Sequence, residues 1–253
     1  MALPVGCYTE RGMGAVVRRI EAAVETLLDA IFAARCVGCG RIGAHFCARC
    51  VARVEPVPPP WCDSCGATLR GAVPGAAPAR CADCRRDPLP LAGVRSAGLL
   101  KGPLRRAVHR LKYGGRTAAA RALAEAMGRA VASLGPLPAE TVLVPVPLHP
   151  SRLRERGFNQ AERLAAPLAA ATGLPLRPAV LRVRATPSQV GLSRAARRVN
   201  LRDAFAAAAE VSGATVLLVD DVITTGSTLG SAAAACRAQG ARAVYAVTLA
   251  REA

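Results

Sequence analysis

The sequence predicts an α/β fold, a mostly parallel sheet with helices on both faces, joined to a small N-terminal cysteine-rich module. Three observations predict it. Beyond residue 90, short apolar runs alternate with helix-like stretches, the pattern of β-α units. Two of the runs, within TVLVPVP and VLLVDD, are continuously apolar, as strands buried on both faces must be. Between Cys36 and Cys84 stand four CxxC pairs in a loop-rich stretch.

The elements follow in order. Residues 15–34 carry Val17, Ile20, Val24, Leu27, Leu28 and Ile31 at steps of three and four, which predicts an amphipathic helix packed on the rest of the protein. Segment 1–35 is assigned to that helix. Segment 36–90 is the cysteine module: Cys36, Cys39, Cys47 and Cys50, then Cys62, Cys65, Cys81 and Cys84. Both spacings suit a tetrahedral zinc–tetrathiolate site, so two structural zinc ions are expected. Sequential pairing is the preferred arrangement, and a cross-braced one, first pair with third, is the alternative. Gly40 and Gly66 follow the second cysteine of a pair, where zinc knuckles turn tightly. The module has too little apolar content to fold by burial alone. EPVPPPW (55–61) is a stiff spacer and 71–80 a Gly/Pro/Ala loop. Cys7 and Cys236 stand alone and are not expected to bind metal.

Segment 91–253 is the α/β domain. Strands are expected at 91–100, 141–147, 216–219 and 243–250, and helices at 103–112, 117–133, 158–172 and 227–239. Ligands of such sheets bind at the carboxyl ends of the strands, where the loops after VLVPVP and VLLVDD emerge.

Composition narrows the partners. The chain has a formal charge of +17, which favours anionic ligands such as phosphates or nucleic acid. Of 34 basic residues only Lys101 and Lys112 are lysine, so each retained lysine invites a chemical reason. On the predicted helix 103–112, Leu104, Val108 and Leu111 share one face, and Arg105, His109 and Lys112 share another. No run of apolar residues is long enough to span a membrane, and MALPVGCYTERGMG lacks the features of a secretory signal. A cytoplasmic protein is expected.

VLLVDDVITTGST (216–228) concentrates the chemistry. Asp220 and Asp221 leave the end of a buried strand, followed by the hydroxyls of Thr224, Thr225, Ser227 and Thr228, with Gly226 permitting close backbone approach. Amides at a helix start bind phosphate, and neighbouring carboxylates suit the vicinal hydroxyls of a ribose, directly or through magnesium. Helix capping accounts for one or two of these residues rather than all. The stretch lacks the GxxxxGK[ST] pattern of a P-loop. Between residues 151 and 202, eleven arginines face only Glu155 and Glu162, so Arg152, Arg154, Arg156, Arg194, Arg197 and Arg198 are candidates for gripping a pyrophosphate.

This run closely resembles the phosphoribosyl-pyrophosphate (PRPP) motif of type I phosphoribosyltransferases. VLVPVPLHPSRLRERGFNQAERLA (142–165) is similar to their pyrophosphate loop, and LRVRATPSQVGLSRAARRVNLRDAF (181–205) to the mobile hood. With LKYGGR (111–116) and the cysteine pairs, the chain resembles the ComF family of competence-related proteins. The resemblance implies that Asp220 and Asp221 contact the ribose hydroxyls and that Thr224 to Thr228, with Gly226, cradle the 5′-phosphate. It implies that Arg152, Arg156, Gln189, Arg197 and Arg198 line the PRPP site, that Asp220, Asp221, Arg194 and Lys112 are catalytic, and that Mg²⁺ accompanies PRPP.

Two functions fit. One is a phosphoribosyltransferase, a pentosyl-transferring glycosyltransferase whose acceptor the sequence does not name. The other is a DNA-uptake or DNA-utilisation factor that uses PRPP as a regulatory ligand, binds single-stranded DNA through its zinc ribbons and works with the uptake machinery. Aromatic platforms for stacking bases are sparse: Phe46, Trp61 and Tyr113.

Overall fold

The structure, a computed structural model, describes residues 34–69, 71, 79–113, 117–184 and 203–252. The expected helix at 15–34, apart from Ala34, lies outside the described residues, as do residues 114–116 and most of the hood.

Six strands are present among the described residues: β1 (Gly93–Ser96), β2 (Thr141–Pro145), β3 (Val180–Arg182), β4 (Phe205–Ala207), β5 (Thr215–Ile223) and β6 (Ala243–Arg251). Four of them form a wholly parallel sheet in the order β1-β6-β5-β2, and β3 pairs antiparallel with β4. The strand expected at 91–100 is shorter. Past Ser96, Ala97 and Leu100 still bond to β6, but Leu99 turns its amide to Glu55 O at 2.8 Å. That bond ties the strand to the ribbon module instead of prolonging the ladder.

The helices are α1 (Ala48–Val51), α2 (Ala82–Arg86), α3 (Gly102–Tyr113), α4 (Ala120–Ala132), α5 (Pro150–Arg156), α6 (Gln160–Thr172) and α7 (Ser227–Ala238). Helix α5 falls inside the stretch expected to be a loop. His149 Nδ1 accepts the Ser151 N–H at 3.2 Å, and Gly157 ends the helix in the left-handed conformation. Local start and stop signals thus sufficed for seven residues of helix.

β5 divides two cores. Leu217 and Val219 pack with Leu104 and Leu111 of α3, Leu123 and Met127 of α4, and Leu164 and Leu168 of α6. Val216 and Leu218 pack on the other side with Leu229, Ala232 and Cys236 of α7 and Phe205 of β4. Alternate residues of one strand serve opposite faces, and each fully buried leucine contributes roughly 1.5–3 kcal/mol.

The cysteine module is built into both cores. Cys36, Val37, Phe46 and Cys50 belong to the first, and Cys62, Cys65, Cys84 and Leu89 to the second. The segment folds by sharing the burial of the sheet, not by metal alone. Arg110 of α3 donates to Cys36 O at 2.9 Å and Arg106 donates to Gly38 O. On the other side, Arg251 donates to Cys65 O at 2.7 Å. Gly66 lies so close to β1 that a Cβ there would sit 2.3 Å from Val94 O. Among the described residues, no helix is long and apolar enough to cross a membrane.

Candidate functional site

β2 stops at Pro145, opposite Val219, while β5 continues beside β6 as far as Ile223. Asp220 and Asp221 therefore stand at the mouth of the crevice where one neighbour of β5 has ended. This is the carboxyl edge of the sheet, where ligands of open α/β folds enter.

The two carboxylates lie within hydrogen-bonding range of each other, and each has further neighbours. Asp221 continues the face of Leu217 and Val219, and the last turn of α3 brings Lys112 Nζ to 2.9 Å from its Oδ2. The side chains are 23% and 11% exposed, Lys112 and Asp221 respectively, so the pair is largely sheltered from water. Asp220 continues the face of Val216 and Leu218, and its Oδ1 accepts the Asp221 N–H at 2.8 Å. Burial, and next the charge of Asp221, push the Asp220 carboxyl up to about 8, against the pull of that N–H and of Lys112.

The next turn carries the hydroxyls. Gly226 has φ +80° and is the cap of α7, which has no side-chain cap hydrogen bond. The Thr225 and Ser227 hydroxyls pair at 2.8 Å, and the Ser227 amide donates to Thr225 Oγ1 at 3.4 Å. Thr224 is exposed and Thr228 half-buried. Gly226 was expected to clear the way for a ligand. A Cβ there would also stand 2.7 Å from Leu89, so the glycine answers to the turn and to that leucine as well.

The arginines vary in their freedom. Arg152 lies 3.6 Å from Glu155 in a partly exposed pair, while Arg154 is exposed. Arg156 lies 5.0 Å over the Tyr113 ring and donates to the Tyr113 hydroxyl at 3.2 Å and to Gln160 Oε1 at 3.1 Å. Gln189, Arg194, Arg197 and Arg198 lie outside the described residues.

Two further residues belong here that sequence reasoning did not single out. Arg182 of β3 stands 5.5 Å over Phe205. Burial pulls its pKa down, as does Arg152, while Asp220 opposes them, so all three share one electrostatic field. Its one sequence signal is its place as the first arginine of the hood stretch. Asn159, nearly buried, donates to Val146 O and accepts the Ala161 amide, both at 3.1 Å, tying the loop after β2 to α6.

The eight cysteines form two sites, Cys36/Cys39/Cys47/Cys50 and Cys62/Cys65/Cys81/Cys84, with each set of sulfurs within 4.8 Å of one another. The pairing is sequential. Sulfur–sulfur distances of 3.6 Å (Cys36–Cys50), 3.7 Å (Cys39–Cys47) and 3.8 Å (Cys65–Cys81) fit a metal with four bonds of about 2.3 Å. Amides of Gly38 and Cys47 donate to Cys36 Sγ, and that of Cys81 to Cys62 Sγ, as they would to thiolates. These are structural zinc sites. The aromatic platforms fare differently. Phe46 is buried, and the Trp61 ring lies under Arg95 at 4.3 Å. Tyr113, though exposed, carries Arg156 on its ring.

Comparison with known proteins agrees with this architecture. The double zinc ribbon domain family matches residues 27–87, and the phosphoribosyl transferase domain family matches residues 155–253. DNA utilization protein YhgH of Salmonella typhi is 38% identical over 176 residues, 68% of this chain and 77% of its own. Competence protein F of Haemophilus influenzae is 32% identical over 229 residues, 86% of this chain and 96% of its own. A solved glutamine PRPP amidotransferase from B. subtilis aligns with 56% of this chain and 30% of its own, at 22% identity and a TM-score of 0.38. A double zinc ribbon shared between the two cores of a phosphoribosyltransferase-type sheet, with Competence protein F matched over 96% of its length, places this chain in the ComF family.

Proposed function

We infer that the chain binds PRPP together with Mg²⁺ and transfers its phosphoribosyl group to an acceptor. The observation that carries this reading is the position of Asp220 and Asp221 where β2 has ended, followed by the Gly226 turn into an α7 start with no side-chain cap. Asp220 and Asp221 take the ribose hydroxyls, and Thr224, Thr225, Gly226, Ser227 and Thr228 the 5′-phosphate. Arg152 and Arg156, with Gln189, Arg197 and Arg198, hold the pyrophosphate.

Breaking the bond at ribose C1 builds positive charge on the sugar and negative charge on the leaving oxygens. The task of the protein is therefore electrostatic. Mg²⁺, when bound with PRPP, supplies charge to the pyrophosphate oxygens. Lys112 stands with its Nζ 2.9 Å from Asp221 Oδ2 and orients that side chain, and Arg194 joins the other arginines around the leaving group. The hood excludes water, which would otherwise take the place of the acceptor. Isothermal titration with PRPP, with and without Mg²⁺, tests the binding, and a pyrophosphate-release screen over bases and amines tests the transfer. No heat of binding in either condition removes the reading.

A second reading, in which PRPP is a regulatory ligand of a single-stranded-DNA-binding protein, draws on a different surface. Arg41, Arg49, Arg53 and Arg106 line a cleft of about 210 Å³ beside Cys39, and residues 34–54 contain no acid. Relatives named for competence and DNA utilization support, for this reading, a nucleic-acid role in DNA uptake. With Phe46 buried, such binding rests on phosphate contacts more than on stacking, so it is strongly salt-dependent and tolerant of sequence.

A further inference from the structure

We propose that the Cys62–Cys65 knuckle of the second zinc site positions the 5′-phosphate loop through Ser64 and Leu89. The proposal rests on the reading that residues 224–228 hold that phosphate. Ser64 stands between Cys62 and Cys65 and is 2% exposed. Its hydroxyl donates to Leu89 O at 3.1 Å and accepts the Leu89 amide at 3.0 Å, so one side chain fixes both backbone polar groups of Leu89. Leu89, 5% exposed, then reaches the loop: Cδ1 lies 2.7 Å from where a Cβ on Gly226 would stand, and Cδ2 2.7 Å from where one on Gly230 would stand.

Gly226 needs its glycine for the left-handed turn as well. Gly230 lies inside α7 without a positive φ, and glycine is unfavourable in such a place. Leu89 supplies the reason for it. The first turn of α7 and the turn before it are thus seated on one leucine, whose backbone is held by a zinc knuckle. The knuckle is itself held at the end of β6 by the bond from Arg251 to Cys65 O. A phosphate cradle made of backbone amides works only if those amides converge, and Leu89 sets where the turn that carries them lies.

The test uses the full zinc-loaded chain in four variants: Ser64→Ala, Leu89→Ala, Gly230→Ala and the Leu89→Ala/Gly230→Ala double. The readouts are zinc content, hydrogen exchange of amides 225–230, and affinities for ribose 5-phosphate and inorganic pyrophosphate. Ser64→Ala and Leu89→Ala should keep both zinc ions, exchange these amides faster and lose ribose 5-phosphate roughly tenfold, as misplaced binding groups do. Pyrophosphate affinity should hold. Gly230→Ala should disturb the loop by collision, and the double variant, with a methyl where the leucine tip was, should lie closer to wild type than either single. The proposal is overturned if Leu89→Ala leaves exchange and ribose 5-phosphate affinity unchanged, if both ligands weaken equally, or if the double variant is as bad as the sum of the singles. Should wild type fail to bind ribose 5-phosphate, the phosphate reading falls. The exchange rates and the size swap would still decide whether the knuckle positions the loop.

Discussion

Asp220→Asn should make the ligand-free protein more stable at alkaline pH while weakening its hold on PRPP. The folded protein keeps the Asp220 proton up to about pH 8, whereas the unfolded chain releases it near 3.8. Across that window the native state binds the extra proton, so this group's contribution is complete below pH 4 and is lost as pH climbs through 8. The limiting slope is about 1.4 kcal/mol per pH unit. Asp220 remains partly exposed, so solvent screening reduces it, and half that slope is a fair expectation. Asparagine has no proton to lose, and its Oδ1 can still accept the Asp221 amide. The variant should therefore gain on wild type by about 2 kcal/mol between pH 5 and pH 8. Urea unfolding midpoints at several pH values measure the gain, and titration with PRPP and Mg²⁺ measures the loss of binding. A variant that is less stable than wild type at pH 8, or whose difference from wild type is flat with pH, would refute the assignment of a strained carboxyl at this position. Stability gained where ligand affinity is lost is the expected mark of a group kept for function.

Lys112→Met leaves Asp221 without the ammonium at 2.9 Å and should cost about 1–3 kcal/mol at pH 7, less than a fully buried pair because Lys112 keeps some exposure. Urea midpoints check this, and Lys112→Arg should recover part of the loss. Removing zinc with a strong chelator should lower the melting temperature of the whole chain in one transition, since both ribbons contribute to the cores of the sheet. A far-UV circular dichroism melt in which the sheet domain unfolds at its original temperature would contradict this. Arg49→Ala with Arg53→Ala should weaken single-stranded DNA binding at low salt, with PRPP affinity unchanged. The salt slope should flatten by about 0.7 for each phosphate that the protein no longer neutralises.

Where a signal lay within a few residues, it was legible. The CxxC spacings identified both metal sites, and the alternation of apolar runs with helical stretches located the four sheet strands to within a few residues. Most helix starts were legible as well, though His149 as a cap for α5 needed the fold to show that a loop stretch had its own start signal. What depended on distant partners was not. Nothing near Leu89 in the sequence says that it will lie against Gly226 and Gly230, more than 130 residues later. Arg182 looked like one arginine among eleven until β3 and β4 paired and set it over Phe205, in the field of Asp220.

The two aspartates show what a local reading leaves out. Side by side in the sequence, they suggest a pair of carboxylates pointing together. The structure keeps them within side-chain hydrogen-bonding range of each other and gives each a further charged neighbour of its own. Asp221 turns to Lys112 on the side of α3, and Asp220 turns to the side that carries Arg182. A ligand can meet both at the end of β5, beyond Pro145, where no strand among the described residues covers the side that β2 has left. That approach lies directly beside the turn at Gly226, so the same strand end would present carboxylates to the sugar and amides to its phosphate. Asp220 holds a proton up to about pH 8, and that proton must leave before the group can present a full carboxylate to a hydroxyl. Ligand binding should then release a proton at pH 7, and the heat of PRPP binding should change with the ionisation enthalpy of the buffer. Equal heats in PIPES and in Tris would mean that Asp220 enters the complex with its protonation unchanged, and the argument for proton release on binding would fall.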